Sequence, residues 1–168
     1  MVRLETDRLV IRNFRSEDWE ELQELAIAYQ ASESAKYEPP WPTGDEEVKG
    51  MAGWFAGGDD YLAVCLRANG KLIGLVAIEP REGQEGRVRN LGYVFHPGYH
   101  GHGYATEACR MAMRYAFGLL EAERILTGTN LENRASVALL GRLGLRSIGG
   151  GEFAMSRDEW ALTDRGVE

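Results

Sequence analysis

Along the chain the hydrophobic positions alternate between a spacing of about two and a spacing of about 3.6, and each switch marks a change from strand to helix. Leu9-Val-Ile-Arg12 reads as an edge strand. Ser16 offers an N-cap ahead of Glu17-Asp18-Trp19, and the helix it starts carries Leu22, Leu25, Ala26 and Tyr29 on one face. The prolines of Tyr37-Glu-Pro-Pro-Trp-Pro42 exclude a helix there, because each lacks an amide donor and restricts its predecessor. Thr43 with Glu46 then forms a capping box for a second helix to about Phe55, closed by Gly57-Gly58. Residues 61–66 and 72–78 are apolar strands, and Asn69-Gly70 between them is a strong hairpin signal.

A charged, glycine-bearing turn from Arg81 to Gly86 leads to a strand over 88–95. The helix expected over 104–120 places Ala105, Ala108, Cys109, Ala112 and Ala116 on one stripe, small enough to lie close to a sheet. A strand over 124–129 should run parallel to the 88–95 strand, since strand, helix and strand in succession make a right-handed crossover. Asn133 begins the final expected helix and Gly144 ends it; 152–156 and Trp160 to Leu162 are the last strand candidates, after a flexible Gly149-Gly-Gly151. No internal repeat or dividing linker interrupts the order. The expectation is one domain over residues 1–168, an α+β sheet with helices on both faces.

The length of 168 residues and a hydrophobic content of 44% suffice for such a core. A formal net charge of −7 with no Lys/Arg run disfavours nucleic acid as a partner and favours amines or basic peptides. No stretch approaches the roughly 18 apolar residues that suggest a membrane span. The start Met-Val-Arg-Leu-Glu-Thr-Asp lacks the apolar core of a signal peptide, so a cytoplasmic protein is expected. Cys65 and Cys109 sit in apolar segments without metal-ligand spacing and read as core residues.

The chemistry concentrates after the 88–95 strand, in His100-Gly-His-Gly-Tyr-Ala105. Gly101 and Gly103 can turn the backbone through positive φ and present successive amides, while the helix starting near Tyr104 adds the positive end of its dipole. That is a diphosphate cradle. The segment lacks the Gly-Lys-Ser/Thr of a nucleoside-triphosphate loop, and Thr106 occupies the last position of the dinucleotide pattern, where Gly or Ala is required. His96, His100 and His102 invite a metal, but their loop spacing fixes no shared face and no carboxylate partner follows, so no metal is expected.

The segment resembles the acyl-CoA motif of the GNAT superfamily of N-acetyltransferases, Arg/Gln-x-x-Gly-x-Gly/Ala, with His100 at the position of Arg or Gln. Gly-Tyr-Ala-Thr-Glu-Ala and the opening Leu4-Glu-Thr-Asp-Arg-Leu-Val-Ile-Arg12 are similar to the branch that acetylates ribosomal-protein N-termini and assorted small amines. The resemblance implies a mostly antiparallel mixed sheet with one parallel β-α-β unit, and acetyl-CoA as co-substrate. It implies cofactor contacts from Val94, Phe95, His100, Gly101, His102, Gly103, Tyr104 and Ala105, and from Asn133 and Ser136 further on. The pantetheine arm would pair with the strand ending at Phe95, and the Val94 amide would stabilise the carbonyl oxygen.

Two proton-transfer groups depart from the family pattern. Leu140 stands where a tyrosine often protonates the thiolate, which leaves Ser136 as the nearest hydroxyl, with water as the other donor. Asn90 stands where the branch often has Glu, which leaves Glu79 as a substitute base, although it reads equally well as a solvated strand-end carboxylate. Tyr37, Glu38, Trp41 and Glu152 are the expected acceptor-binding residues, with an ordinary proline-rich lid as the other reading of the first three. The alternatives to an N-acetyltransferase are an acyl-CoA-binding sensor without activity and a transferase using a longer acyl chain. The sequence leaves the acceptor, the acyl length and a homodimer undetermined.

Overall fold

Asn69-Gly70 does turn the chain. In the computed structural model, which describes residues 1–84 and 86–164, β3 (Tyr61–Leu66) and β4 (Leu72–Pro80) form an antiparallel hairpin. Gly70 sits at φ +74° and its amide donates to the Leu66 carbonyl at 2.8 Å. The register runs Val64↔Gly74 and then Cys65↔Leu72, so Ile73 has no counterpart and β4 carries a bulge.

Hydrogen-bonded neighbours follow the order β1-β2-β3-β4-β5-β6-β8-β7, a mostly antiparallel eight-stranded sheet with one parallel pair. Its remaining strands are β1 (Arg3–Glu5), β2 (Leu9–Asn13), β5 (Val88–Phe95), β6 (Arg124–Gly128), β7 (Arg146–Gly149) and β8 (Glu152–Ser156). The expected α+β class therefore holds. By contact density the chain divides into two compact units, Met1–Ala77 with Tyr93–Ala108 and Ile78–Gly92 with Cys109–Glu168.

In the first unit β2 is not the edge: it pairs with β3 on one side and β1 on the other. Three residues are too few to show a period, which is why β1 escapes a reading of hydrophobic pattern. The helices α1 (Trp19–Gln30) and α2 (Asp45–Ala56) place Leu22, Leu25, Val48, Ala52 and Phe55 against Ala63, Cys65, Leu72 and Leu75 of the hairpin. Leu62 and Val64, which point the other way from Ala63 and Cys65, are also fully buried, so both faces of β3 are covered. The four residues expected on the buried face of α1 are all there.

The helix starts differ from expectation. Ser16 opens a 3₁₀ turn, Ser16–Asp18, and Asp18 is the N-cap of α1. The Arg12 guanidinium grips the Asp18 carboxylate at 2.8 and 2.9 Å, and that carboxylate also accepts from the Arg15 amide at 2.8 Å. An ion pair from a neighbouring strand thus displaces the local serine cap. Gly44, not Thr43, precedes α2, and the Thr43 carbonyl instead accepts from Gln23 at 2.9 Å. Tyr37 closes a second 3₁₀ turn, Glu33–Tyr37, after which the prolines keep the chain irregular.

In the second unit β5 and β6 are parallel, as expected, from Val88↔Arg124 to Asn90↔Leu126. Beyond that register the Leu91 carbonyl accepts from the Thr127 hydroxyl at 2.8 Å. The helices are α3 (Tyr104–Gly118), whose later turns lie in this unit, α4 (Arg134–Leu143) and α5 (Arg157–Asp164). The Gly149-Gly-Gly151 segment is a tight turn between β7 and β8, with φ of +96°, +63° and +79°. One expectation fails here, the strand at Trp160 to Leu162. Those residues are helical: Ser156 and Glu159 make a reciprocal capping box, Glu159 amide to Ser156 hydroxyl at 3.1 Å and Ser156 amide to Glu159 carboxylate at 3.3 Å. Trp160 stacks on Phe117 at 5.6 Å between ring centres. Among the described residues no helix is long and apolar enough to cross a membrane.

Candidate active site

Local backbone geometry builds the anion cradle. β5 ends at Phe95, a 3₁₀ turn follows over Pro97–Tyr99, and Gly101 and Gly103 both adopt φ +82° before α3 begins at Tyr104. This left-handed region costs an L-residue roughly 1–2 kcal/mol, which glycine avoids. A Cβ at Gly101 would meet nothing within 4 Å, so the loop opens to space there. The Glu107 amide already uses the Gly103 carbonyl, at 3.0 Å. The amides of Tyr104 and Ala105 therefore belong to the first turn, where helix amides face outward and the dipole favours an anion.

The histidines divide their work. His96 accepts from the Gly98 amide through Nδ1 at 2.9 Å, which shapes the turn before the cradle. His100 places Nε2 3.3 Å from the Phe95 carbonyl, and since a carbonyl only accepts, that nitrogen carries the proton. His102 is exposed, its ring 5.6 Å from that of Tyr104. Among the described residues no group of three or more His, Cys, Asp or Glu is placed to hold a metal ion.

Val94 and Phe95 occupy the strand end as expected, and here the bulge in β4 matters. The His96 amide donates to the carbonyl of the bulged Ile73 at 2.8 Å. A Cβ on Gly74 would lie 2.7 Å from the Val94 carbonyl oxygen and 2.5 Å from the Phe95 ring. Gly74 thus permits a backbone approach that no other residue allows, and it was not among the expected site residues. A glycine inside an apolar strand was the available signal.

A second set of residues absent from the expectations holds the cradle from behind. Arg8 donates to the His102 carbonyl at 2.8 Å and to Glu107 at 2.7 and 2.8 Å, and its guanidinium carbon lies 4.4 Å from the centre of the Tyr104 ring. Glu107 also accepts from the Thr6 hydroxyl at 2.6 Å and the Arg8 amide at 3.0 Å. Burial alone would raise the Glu107 pKa, but the bonds from Thr6 and Arg8 outweigh it and hold the carboxyl below its ordinary value.

Of the acceptor candidates in the first unit, Trp41 packs on the same apolar cluster as Val94, with its ring 6.3 Å from Tyr29. Tyr37 lies under the Lys36 ammonium at 5.1 Å, and Glu38 is exposed.

In the second unit Asn133 is the N-cap of α4: its side-chain oxygen accepts from the Ser136 amide at 3.3 Å. Ser136 is half-buried in the first turn, whereas Leu140 is wholly buried and belongs to the core. Glu79 is half-buried near the end of β4. Glu152 is paired with Arg81 at 3.5 Å, which offsets the charge it would offer an ammonium group.

Neither cysteine suits nucleophilic work. Burial pushes both thiols up, Cys109 far above the ordinary range and Cys65 against the pull of Arg12. A thiolate at neutral pH is disfavoured at both positions.

Residues 8–146 match the family model described as an acetyltransferase (GNAT) domain. The chain is 30% identical over 145 residues to YnaD of Bacillus subtilis, an uncharacterised N-acetyltransferase, covering 86% of this chain and 82% of that one. Its fold is similar to that of a GNAT-family acetyltransferase from Bacillus anthracis, with a TM-score of 0.84 at 25% identity over 94% of this chain and all 100% of the other. It is also similar to Mycobacterium smegmatis RimJ, solved in complex with CoA-disulfide, with a TM-score of 0.76 at 20% identity over 94% and 89%. A paired-glycine cradle opening a helix, on a sheet of this order and with this family match, places the chain among the GNAT acetyltransferases as an acyltransferase.

Proposed function

We propose that this protein is an acetyl-CoA-dependent N-acetyltransferase in which the amine attacks the thioester directly, and that its acceptor is an α-amine, as on a peptide N-terminus, or another weakly basic amine. The carrying observation is the pair of glycines at φ +82° immediately ahead of α3, a cradle for the diphosphate of coenzyme A that needs no lysine. The CoA ligand of the similar RimJ structure supports the same reading. The family match spans residues 8–146 and draws on both compact units, which supports treating the chain as one catalytic domain.

In this reading the amides from Gly101 to Ala105, with His100 and His102 beside them, take the diphosphate, and the end of β5 at Val94 and Phe95 takes the pantetheine arm. The Asn133 side-chain amide also serves the pantetheine. The acceptor nitrogen forms a bond to the acetyl carbon while the Val94 amide stabilises the carbonyl oxygen. The carbon–sulfur bond then breaks, the thiolate takes a proton from Ser136 or water, and the ammonium proton leaves through Glu79 or water. Tyr37, Glu38, Trp41 and Glu152 receive the acceptor. The high thiol pKa values of Cys65 and Cys109 support direct attack over an acetyl-cysteine intermediate.

The acceptor class follows from acid–base arithmetic. An α-amine has a reference pKa of about 8 and a lysine amine about 10.4, so exposing the neutral lysine at pH 7 costs about 3 kcal/mol more. A site without a strong base favours the weaker base. Incubating the protein with acetyl-CoA and a panel of peptides and small amines, and following free thiol at sub-saturating acceptor, should show α-amines acetylated faster than lysine side chains, with the gap closing as pH rises. Gly103→Val should weaken CoA binding by about tenfold in calorimetry, since a β-branched residue resists positive φ. CoA binding with no thiol release from any amine would instead favour the sensor that the buried Leu140 brings into view. A strong lysine preference at neutral pH would overturn the acceptor class.

A further inference from the structure

We infer that Arg8, nearly a hundred residues before the cradle in the chain, is a positioning residue for the acetyl donor, directing the Gly103 amide at the diphosphate by holding the peptide in front of it from the opposite side. The inference rests on the cradle reading given above.

A trans peptide is planar, so the carbonyl of one residue and the amide of the next point in opposite directions. Arg8 donates to the His102 carbonyl at 2.8 Å, and the Gly103 amide must therefore point away from Arg8. The next peptide is fixed in the same sense, because the Gly103 carbonyl accepts from the Glu107 amide at 3.0 Å and this turns the Tyr104 amide outward. Arg8 and Glu107 thus lock two consecutive peptides, and they lock each other through paired contacts of 2.7 and 2.8 Å. Tyr104 closes the group with its ring against the guanidinium. A Cβ at Gly103 would sit 3.4 Å from the Arg8 side chain, the close packing a fixed loop requires.

Glycines at positive φ are otherwise free to flip, and a flipped peptide would offer the anion a carbonyl oxygen. A guanidinium on the far side removes that alternative and also polarises the peptide, which strengthens its amide as a donor. Because Glu107 offsets the Arg8 charge, the effect is one of direction more than of net attraction. It fits the departure at His100, whose Nε2 is turned to the Phe95 carbonyl.

The test compares two donors. S-acetylpantetheine carries the reacting thioester and lacks the diphosphate, so it reports on the reaction centre without using the cradle. Arg8→Met should raise the CoA Kd and the KM for acetyl-CoA at least about tenfold, as expected for loss of a charge-assisted hydrogen bond. It should leave kcat at saturating acetyl-CoA and kcat/KM for S-acetylpantetheine within about twofold of wild type. Arg8→Lys, which keeps the charge but cannot span Glu107 and the His102 carbonyl as a fork, should recover only part of the loss. An unchanged CoA Kd in Arg8→Met, or equal losses with both donors, overturns the inference. If that variant does not fold, Glu107→Gln decides in its place: a selective loss of acetyl-CoA supports the role and an unaltered KM refutes it. Wild-type protein that binds no CoA would refute the cradle itself, an outcome separate from any behaviour of Arg8.

Discussion

At the scale of single residues, the site depends as much on what is missing as on what is present. Gly74 contributes only the absence of a side chain, yet the Val94 carbonyl and the Phe95 ring occupy the space a Cβ would need. The backbone oxygen cannot rotate aside, so Gly74→Ala must push the end of β5 away from β4. Overpacking of this kind costs about 1–3 kcal/mol, which for a domain of this length lowers the melting temperature by roughly 2–12 °C. Denaturant unfolding should show that loss together with a reduced turnover rate, since Val94 and Phe95 move with the strand. Wild-type stability and turnover in Gly74→Ala would show that the end of β5 yields to a Cβ without cost.

At the scale of elements, the start of α1 shows how a tertiary contact overrides a local cap. Burial by itself would raise the Asp18 pKa, but the hydrogen bonds from the Arg12 guanidinium and the Arg15 amide outweigh it and hold the carboxyl below its ordinary value. A carboxyl with a depressed folded-state pKa contributes stability that is complete above the unfolded pKa and lost as pH falls through the folded one. Asp18→Asn should therefore cost about 2–4 kcal/mol at neutral pH, because it leaves Arg12 without its counter-charge in a mostly buried site. The difference between variant and wild type should stay constant down to about pH 4 and shrink below it. A gap independent of pH down to 3 would show that packing, not the ion pair, holds this helix. The same contrast explains what the sequence revealed. The hairpin at Asn69-Gly70, the buried face of α1, the span of β5 and the paired glycines were legible because each is written in adjacent residues or a short period. Asp18 as a cap, the edge strands β1 and β7, and the Arg8–Glu107 clamp were not, since each depends on partners brought together by the fold. The capping box Ser156-Arg-Asp-Glu159 is the exception: it is local, and it marks α5 against the apolar Trp160-Ala-Leu162 that mimics a strand.

At the scale of the whole molecule, the charge balance sets the two proposed substrates against each other. A net charge of −7 attracts a cationic amine from solution and repels a polyanionic acetyl-CoA, so the donor has to be held by local geometry against the overall field. Cradle contacts act at hydrogen-bond range and are little screened, whereas the overall field is damped beyond a Debye length, about 10 Å at 0.1 M salt. Raising ionic strength should then move the two specificity constants in opposite directions. Between low salt and about 0.3 M, kcat/KM for a cationic peptide amine should fall as its attraction is screened, while kcat/KM for acetyl-CoA should rise or hold. An acceptor whose amine is neutral at the working pH should show almost no change, which separates field effects from salt acting on the fold. If both constants fall together for cationic and neutral acceptors alike, the long-range field has no part in substrate capture, and the acidic surface serves only to keep the protein in solution.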